Sequence, residues 1–332
     1  MIMDINYSKA SEKERMAFEE FLRVWNGEKD VIPVKTSGST GTPKEINLQK
    51  RDMISSANQT LNFLDLKGGG SSLICLSMDT IAGKMMAVRS IVGNLRVHLS
   101  PVNSIPLLNL QDEIDLCAMV PLQLETELKK NPTKLKLIKH LLIGGGPVSA
   151  DLEQRVTEAG VSFWHTYGMT ETISHVALRR AGKNGEPHFT ALPGITFSED
   201  NGKLIIHYPA IGIDQLKTND LVDLISSISF RYIGRADFII NSGGIKFNPE
   251  ELENSIASIM QVKYFFGGVS DKILGQKIVL FIEGIDTIIP QNKDLELLLP
   301  RYAVPKEIIR LTSFVRTESG KINRIESLKL YR

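Results

Sequence analysis

The sequence predicts an α/β fold: a large N-terminal α/β domain with a mainly parallel sheet, followed by a smaller α+β domain. Three observations carry this. Apolar runs at 72–76, 95–99, 116–120, 140–143 and 161–165 read as strands. Helical patterns, notably IAGKMMAVRSIV and PVSADLEQRVTEAG, lie between several of them, the alternation that builds a parallel sheet. Past residue 186 the runs become short and turn-broken (KLIIHYP, DLVDLIS, SFRYIGR), which fits antiparallel strands. From Arg235–Asp237 a new pattern begins, and it is long enough to fold alone. The chain therefore divides into 1–236 and 237–332.

The elements follow in order. Residues 11–25 read as an amphipathic helix: Ser11 and Glu14 form a capping box, and Phe18, Phe21, Leu22 and Trp25 share a face. Residues 49–66 repeat helical spacing through Ile54, Ala57, Leu61 and Leu64. In the last unit a strand (FIIN) leads through a Gly-Gly turn to a helix (NPEELENSIAS). Two strands (YFFGGVS, KIVLFIEG), a helix (NKDLELLLP) and a terminal strand–turn follow.

Composition removes several functional classes. Lys plus Arg is 39 and Asp plus Glu is 38, so no bulk charge calls for nucleic acid or an anionic membrane. No apolar stretch approaches the roughly 18 residues of a membrane span, and the N-terminus has no signal core, so the expectation is a cytoplasmic protein. Cys75 and Cys117 sit in apolar runs and read as buried thiols. No paired CxxC suggests structural zinc.

Six segments carry chemistry. Thr36-Ser37-Gly38-Ser39-Thr40-Gly41-Thr42-Pro43-Lys44 offers amide and hydroxyl donors and a cation to a polyphosphate. Its glycine spacing is not that of a Walker A loop. Gly144-Gly145-Gly146-Pro147 follows a strand and lets a flat ligand approach the backbone. His165-Thr166-Tyr167-Gly168-Met169-Thr170-Glu171 follows another strand. The segment ends at Thr172; within it Tyr167 has a face for a base, Thr170 a donor for phosphate, and Glu171 a hard oxygen for Mg²⁺. Thr218-Asn219-Asp220 offers a carboxylate to a ribose diol, and Arg235 a fork to a phosphate. Asn241-Ser242-Gly243-Gly244 precedes an Asn-Pro helix start. Thr317-Glu318-Ser319-Gly320-Lys321 lies near the C-terminus. Taken singly, each also reads as an ordinary turn, cap or surface charge.

Together and in this order, the six resemble the adenylate-forming superfamily of acyl- and aryl-CoA synthetases, from about Val34 to Arg324. Within it, YGMTETISHVALRR, LPGITF, KTNDLV and GRADFIINSGGIKFNPEELE look like the short bacterial o-succinylbenzoate–CoA ligases of menaquinone synthesis. The resemblance implies two half-reactions: a carboxylic acid and ATP give acyl-AMP, then CoA takes the acyl group. It assigns Lys321, Thr170 and Glu171 to catalysis, with Glu171 holding Mg²⁺. Thr36 to Gly41 and Lys44 would hold the phosphates. Tyr167, Gly168 and Gly144 to Pro147 would frame adenine, and Asp220 the ribose with Arg235 close by. Asp237 would be the hinge of a mobile C-terminal domain, and Gly243 and Gly244 would line the CoA path. The second carboxylate of the acid needs a donor: Lys84 first, then Arg89 or Ser174. A homo-oligomer is possible.

Three departures accompany the likeness. The phosphate loop begins near residue 36, far earlier than in such enzymes, so most of an N-terminal subdomain is expected to be missing. Asn219 stands where a Gly is usual, and Thr80 where a His is frequent. The rival readings are another acyl- or aryl-CoA synthetase, an adenylation partner for a carrier protein, and a catalytically silent AMP-binding protein.

Overall fold

The structure, a computed structural model, describes residues 4–7, 10–35, 45–66, 68–285, 289–316 and 322–331. A twelve-stranded sheet forms its backbone. Five parallel pairings join, in spatial order, the strands Ile5–Asn6, Arg96–Leu99, Ser71–Ile74, Ile114–Met119, Ile138–Ile143 and Ser162–Gly168. At His175–Gly182 the direction reverses, and His175–Gly182, Phe189–Ala191, Ser229–Arg235, Ile213–Ser226, Lys203–Tyr208 and Thr196–Asp200 continue the sheet antiparallel. The α/β class stands, while the mainly parallel pairing holds for the first half only. The cause is local. Crossover helices separate the early strands, whereas Ser162–Gly168 and His175–Gly182 are joined by a tight turn, and hairpins pair antiparallel.

The helices form where the apolar spacing places them. Glu12–Trp25 begins at Ser11, whose backbone N–H donates to Glu14 Oε2 at 3.0 Å, and it buries Phe18, Phe21 and Trp25. Lys50–Phe63 buries Met53, Ser56, Ala57, Thr60 and Leu61; Ile54 faces outward, one position off the expected stripe. Ile81–Val92 buries an unbroken run from Met85 to Ser90. Thr80 is its N-cap, accepting from Gly83 N at 3.2 Å and donating to Ser77 O at 2.8 Å. Gly83 is required there, because a Cβ would lie 2.1 Å from Ser77 O. The helix Pro121–Lys130 was not anticipated.

Beyond residue 236 a separate sheet joins Ile240–Ser242, Ile245–Phe247, Tyr264–Asp271, Gly275–Glu283 and Glu307–Leu311. Ser242 and Ile245 pair across Gly243-Gly244, both at positive φ (+60° and +82°), the requirement of a two-residue hairpin turn. Helix Pro249–Ile256 starts at Asn248, whose side chain accepts from Glu250 N at 3.0 Å. Cys75 and Cys117 are buried free thiols with Sγ atoms 4.0 Å apart. No helix of the described residues is long and apolar enough to cross a membrane.

Candidate active site

Two groups of predicted residues meet at the carboxyl ends of the parallel strands, where open α/β sheets place ligands. The first is built on Ser162–Gly168. The Gly144–Gly146 turn packs beside it so closely that a Cβ on Gly144 would lie 2.1 Å from Thr166 Oγ1. Tyr167 follows, edge-on to Phe230 at 5.1 Å between ring centroids. Its hydroxyl donates to Asp220 Oδ2 at 2.5 Å. Asp220 reaches this position because Leu221 and Val222 hold its strand in register with Gly234 and Tyr232. Its own backbone N–H is anchored on Thr218 Oγ1 at 3.1 Å. Arg235 donates to Asp220 Oδ1 at 3.3 Å and to Asp237 Oδ2 at 2.5 Å. One network thus links the predicted adenine, ribose and hinge positions.

Asp220 is only 6 % exposed, and burial holds its carboxyl above the ordinary range despite Tyr167 and Arg235. Burial and Asp220 together push the Tyr167 phenol up. Asn219 is exposed, and its side chain accepts from Lys203 Nζ at 3.5 Å, so the missing Gly leaves Asp220 undisturbed.

The second group surrounds a one-turn 3₁₀ helix, Thr170–Thr172. Glu171 is exposed at its centre, a carboxylate free to take a hard cation; Mg²⁺ binds proteins through one or two such groups, with phosphate oxygens and waters completing its shell. Thr172, which closes that segment and has no role assigned from the sequence, is fully buried and holds the turn, accepting from Met169 N at 3.1 Å. Ile173 then adopts φ 68° and ψ −46°, with Ser174 N donating to Thr172 O at 2.7 Å. This is a strained γ-turn for a β-branched residue, the kind of strain that clusters at functional sites. The Tyr-Gly-Met-Thr-Glu pattern marks the turn, but only the backbone reveals the strain.

The γ-turn aims Ser174 at Arg89. Arg89 Nη2 donates to Ser174 Oγ at 2.6 Å and Nε to Thr60 Oγ1 at 3.2 Å. Thr60 Oγ1 also lies 2.9 Å from His175 Nε2. Arg89 is 2 % exposed, and none of its partners among the described residues is a carboxylate. Burial pushes the guanidinium down to about 10, and burial with Arg89 nearby keeps His175 neutral. Lys84, the first candidate for the acid's second carboxylate, instead donates to the Pro33 carbonyl at 2.8 Å, tying its helix to the strand Val31–Lys35.

The phosphate-loop positions Thr36, Ser37, Gly38, Ser39, Thr40, Gly41 and Lys44 lie outside the described residues, as does Lys321. Gly243 and Gly244 occupy their hairpin tip, with Gly243 N donating to Leu274 O at 2.9 Å; no described contact joins them to Tyr167 or Asp220. Among the described residues no three His, Cys, Asp or Glu side chains form a metal cluster, so any cation site would lean on Glu171 and the ligand.

The buried Asp220 carboxylate and the Thr170–Thr172 turn with its strained Ile173 lie at the strand ends, an arrangement that fits an adenylate-forming enzyme. The chain belongs to the AMP-binding enzyme family, whose model matches residues 26–198, just over half its length. The superfamily resemblance read from the six segments is borne out. A 2-succinylbenzoate–CoA ligase of Listeria monocytogenes is 27 % identical over 352 aligned residues, covering 96 % of this chain and 74 % of that one. An acyl-CoA synthetase (AMP-forming)/AMP-acid ligase II-like protein from Dyadobacter fermentans is 31 % identical, with a TM-score of 0.64, covering 97 % of this chain and 96 % of that one. An o-succinylbenzoate CoA synthetase of Bacillus subtilis, solved with its acyl-adenylate intermediate, has a TM-score of 0.78 at 23 % identity. It covers 90 % of this chain and 69 % of its own, a likeness of fold.

Proposed function

We propose that this chain is an AMP-forming acid–CoA ligase whose acid is o-succinylbenzoate, acting in menaquinone biosynthesis with ATP, Mg²⁺ and CoA. The observation that carries the choice of acid is Arg89. A buried guanidinium without a counter-ion costs stability, and removing the water around it leaves a charge that a second carboxylate would neutralise. It is held beside the Thr170–Glu171 turn by Ser174, so an acid activated there would present its other carboxylate to Arg89. The curated relatives named 2-succinylbenzoate–CoA ligase, at 25–27 % identity, support the same reading.

The half-reactions follow from the residues. Asp220 takes the ribose hydroxyls, displacing or sharing the Tyr167 hydroxyl, while Tyr167 and Gly144 to Pro147 enclose the base. Glu171 holds Mg²⁺, which offsets phosphate charge, and Thr170 donates to the α-phosphate. The acid's carboxylate oxygen attacks the α-phosphorus, pyrophosphate leaves, and Lys321 and Lys44 meet the charge that develops. The CoA thiolate then attacks the acyl carbon and AMP departs. Residues 1–236 and 237–332 act as two units about Asp237. Their buried apolar clusters are separate among the described residues, which favours this division.

The test is Arg89→Met, assayed by pyrophosphate release with a panel of acids. Losing charge-assisted hydrogen bonds of about 1.5–3 kcal/mol should raise KM for o-succinylbenzoate about 10- to 150-fold. KM for a matched monocarboxylate should stay within about threefold. Equal change for both acids, or no turnover of the dicarboxylate by the parent enzyme, would exclude the assignment.

A further inference from the structure

The C-terminal unit holds a largely buried ion pair that the reaction above does not use. Arg324 donates from Nη1 to Glu253 Oε1 at 2.8 Å and from Nη2 to Oε2 at 2.6 Å, a two-pronged contact with both side chains 16 % exposed. Glu253 Oε1 also accepts from Phe266 N at 2.9 Å, which fixes the carboxylate to the sheet. The guanidinium lies 5.2 Å from the Phe238 ring centroid and 5.8 Å from that of Phe265. On Phe238 stands a second guanidinium, Arg235, at 5.9 Å. Arg235 is the residue bonded to Asp220 and Asp237. A line of contacts therefore runs from Glu253 through Arg324 and Phe238 to the ribose-site carboxylate.

Arg324 also begins the helix Arg324–Leu328, capped by Asn323. Asn323 N donates to Val315 O at 2.8 Å, and Arg316 pairs with Ile322 across an antiparallel bridge. These contacts join the flanks on either side of positions 317–321, Val315–Arg316 and Ile322–Asn323, directly before the helix that Arg324 begins. Stability alone does not account for the pair. Burial pushes the Glu253 carboxyl up to about 7 even with Arg324 against it, and apolar side chains of similar volume would fill such a site as well or better. A rigid fork does what apolar filling cannot: it fixes one orientation.

We propose that Glu253 is a positioning residue for adenylation: by clamping Arg324 in a two-pronged contact, it sets the base of the Lys321 segment relative to Phe238, Arg235 and Asp220. The proposal rests on the reading of Lys321 as the cation of the first half-reaction. It separates the two halves of the reaction, since only the first needs that cation.

The test compares Glu253→Gln, Lys321→Ala and the double variant in the full-length protein, with pyrophosphate release for the first half-reaction and CoA consumption of supplied acyl-adenylate for the second. Glu253→Gln should lower kcat of adenylation about 10- to 100-fold, the scale of an ångström-sized misplacement, with KM for ATP within about threefold. Thioester formation should stay within about threefold of the parent. In the Lys321→Ala background, Glu253→Gln should add nothing further. Where Glu253→Gln lowers the melting temperature enough to confuse the reading, the apolar pair Glu253→Met with Arg324→Met replaces it, and the same adenylation-specific loss is expected. Multiplicative losses, or equal damage to both half-reactions, would overturn the positioning role while leaving Lys321 in place. An unchanged adenylation rate in Lys321→Ala itself would instead remove the mechanism on which the proposal depends.

Discussion

Asp220→Asn tests the ribose site by pulling stability and affinity in opposite directions. Burial raises the folded-state pKa of Asp220 above the unfolded value of 3.8, outweighing the Tyr167 hydroxyl and Arg235. The sign follows from linkage: a raised carboxyl contributes stability that is present below the unfolded value and lost as pH rises through the folded one. At neutral pH the charged Asp220 is therefore a net burden on the ligand-free fold. Asparagine keeps an acceptor for the Tyr167 hydroxyl, and Arg235 keeps Asp237, its 2.5 Å partner. The melting temperature should stay level or rise by a few degrees, since about 1 kcal/mol corresponds to roughly 2–4 °C at this size. Affinity for AMP should fall. Charge-assisted hydrogen bonds from the ribose hydroxyls are worth about 1.5–3 kcal/mol, which is about 10- to 150-fold in Kd. Calorimetric titration with AMP and scanning calorimetry read the two quantities on one sample. An AMP affinity within about threefold of the parent would refute the ribose role. A fall of more than about 5 °C would refute the claim that the carboxylate is held for function at the expense of the fold.

Two further perturbations probe the scaffold. His165 is held at about 4 by burial and by Arg179, below its unfolded value near 6.5, so its stabilising share is complete above that value and fades as pH falls toward 4. His165→Asn should flatten the fall of unfolding free energy between pH 6.5 and 4.5, read by denaturant titration, by up to about 1.4 kcal/mol per pH unit; identical slopes would show that the imidazole is not held neutral. Gly83→Ala would ordinarily gain about 1 kcal/mol in a helix interior, but here the new Cβ meets the Ser77 carbonyl at 2.1 Å, backbone that cannot give way. A loss of about 1–3 kcal/mol by denaturant titration is expected, and a gain would place the turn before Ile81–Val92 elsewhere.

Much of this site is legible in the sequence because its chemistry is local there. Tyr167, Thr170 and Glu171 sit within one short segment, and the partnership of Asp220 with Arg235 follows from hairpin strands that the pattern DLVDLIS–SFRYIGR already suggested. The helix starts at Ser11 and Asn248 are legible for the same reason, since the Ser11–Glu14 capping box and the Asn248 cap each lie within one turn of chain. What escaped depends on contacts distant in sequence. Arg89 and Lys84 lie five residues apart on one helix, and spacing could not tell which would be buried against Ser174 and which would reach Pro33. The antiparallel entry at His175–Gly182 was missed because the preceding turn depends on an Ile in a conformation its side chain disfavours. Thr80 is a case of substitution with a purpose of its own: it ends a turn and caps a helix.

The separation of the buried apolar clusters has an energetic corollary. No cluster has members on both sides of the 230–240 stretch among the described residues, and the contacts that cross it include Asn248 Nδ2 to the Ile233 carbonyl at 2.6 Å. A hydrogen bond of that kind exchanges with water for about 0.5–1.5 kcal/mol, and no shared buried cluster among the described residues has to be split. Swinging the smaller lobe would then resemble unlatching more than unfolding: a turnover could repeat it many times while each interior stayed dry.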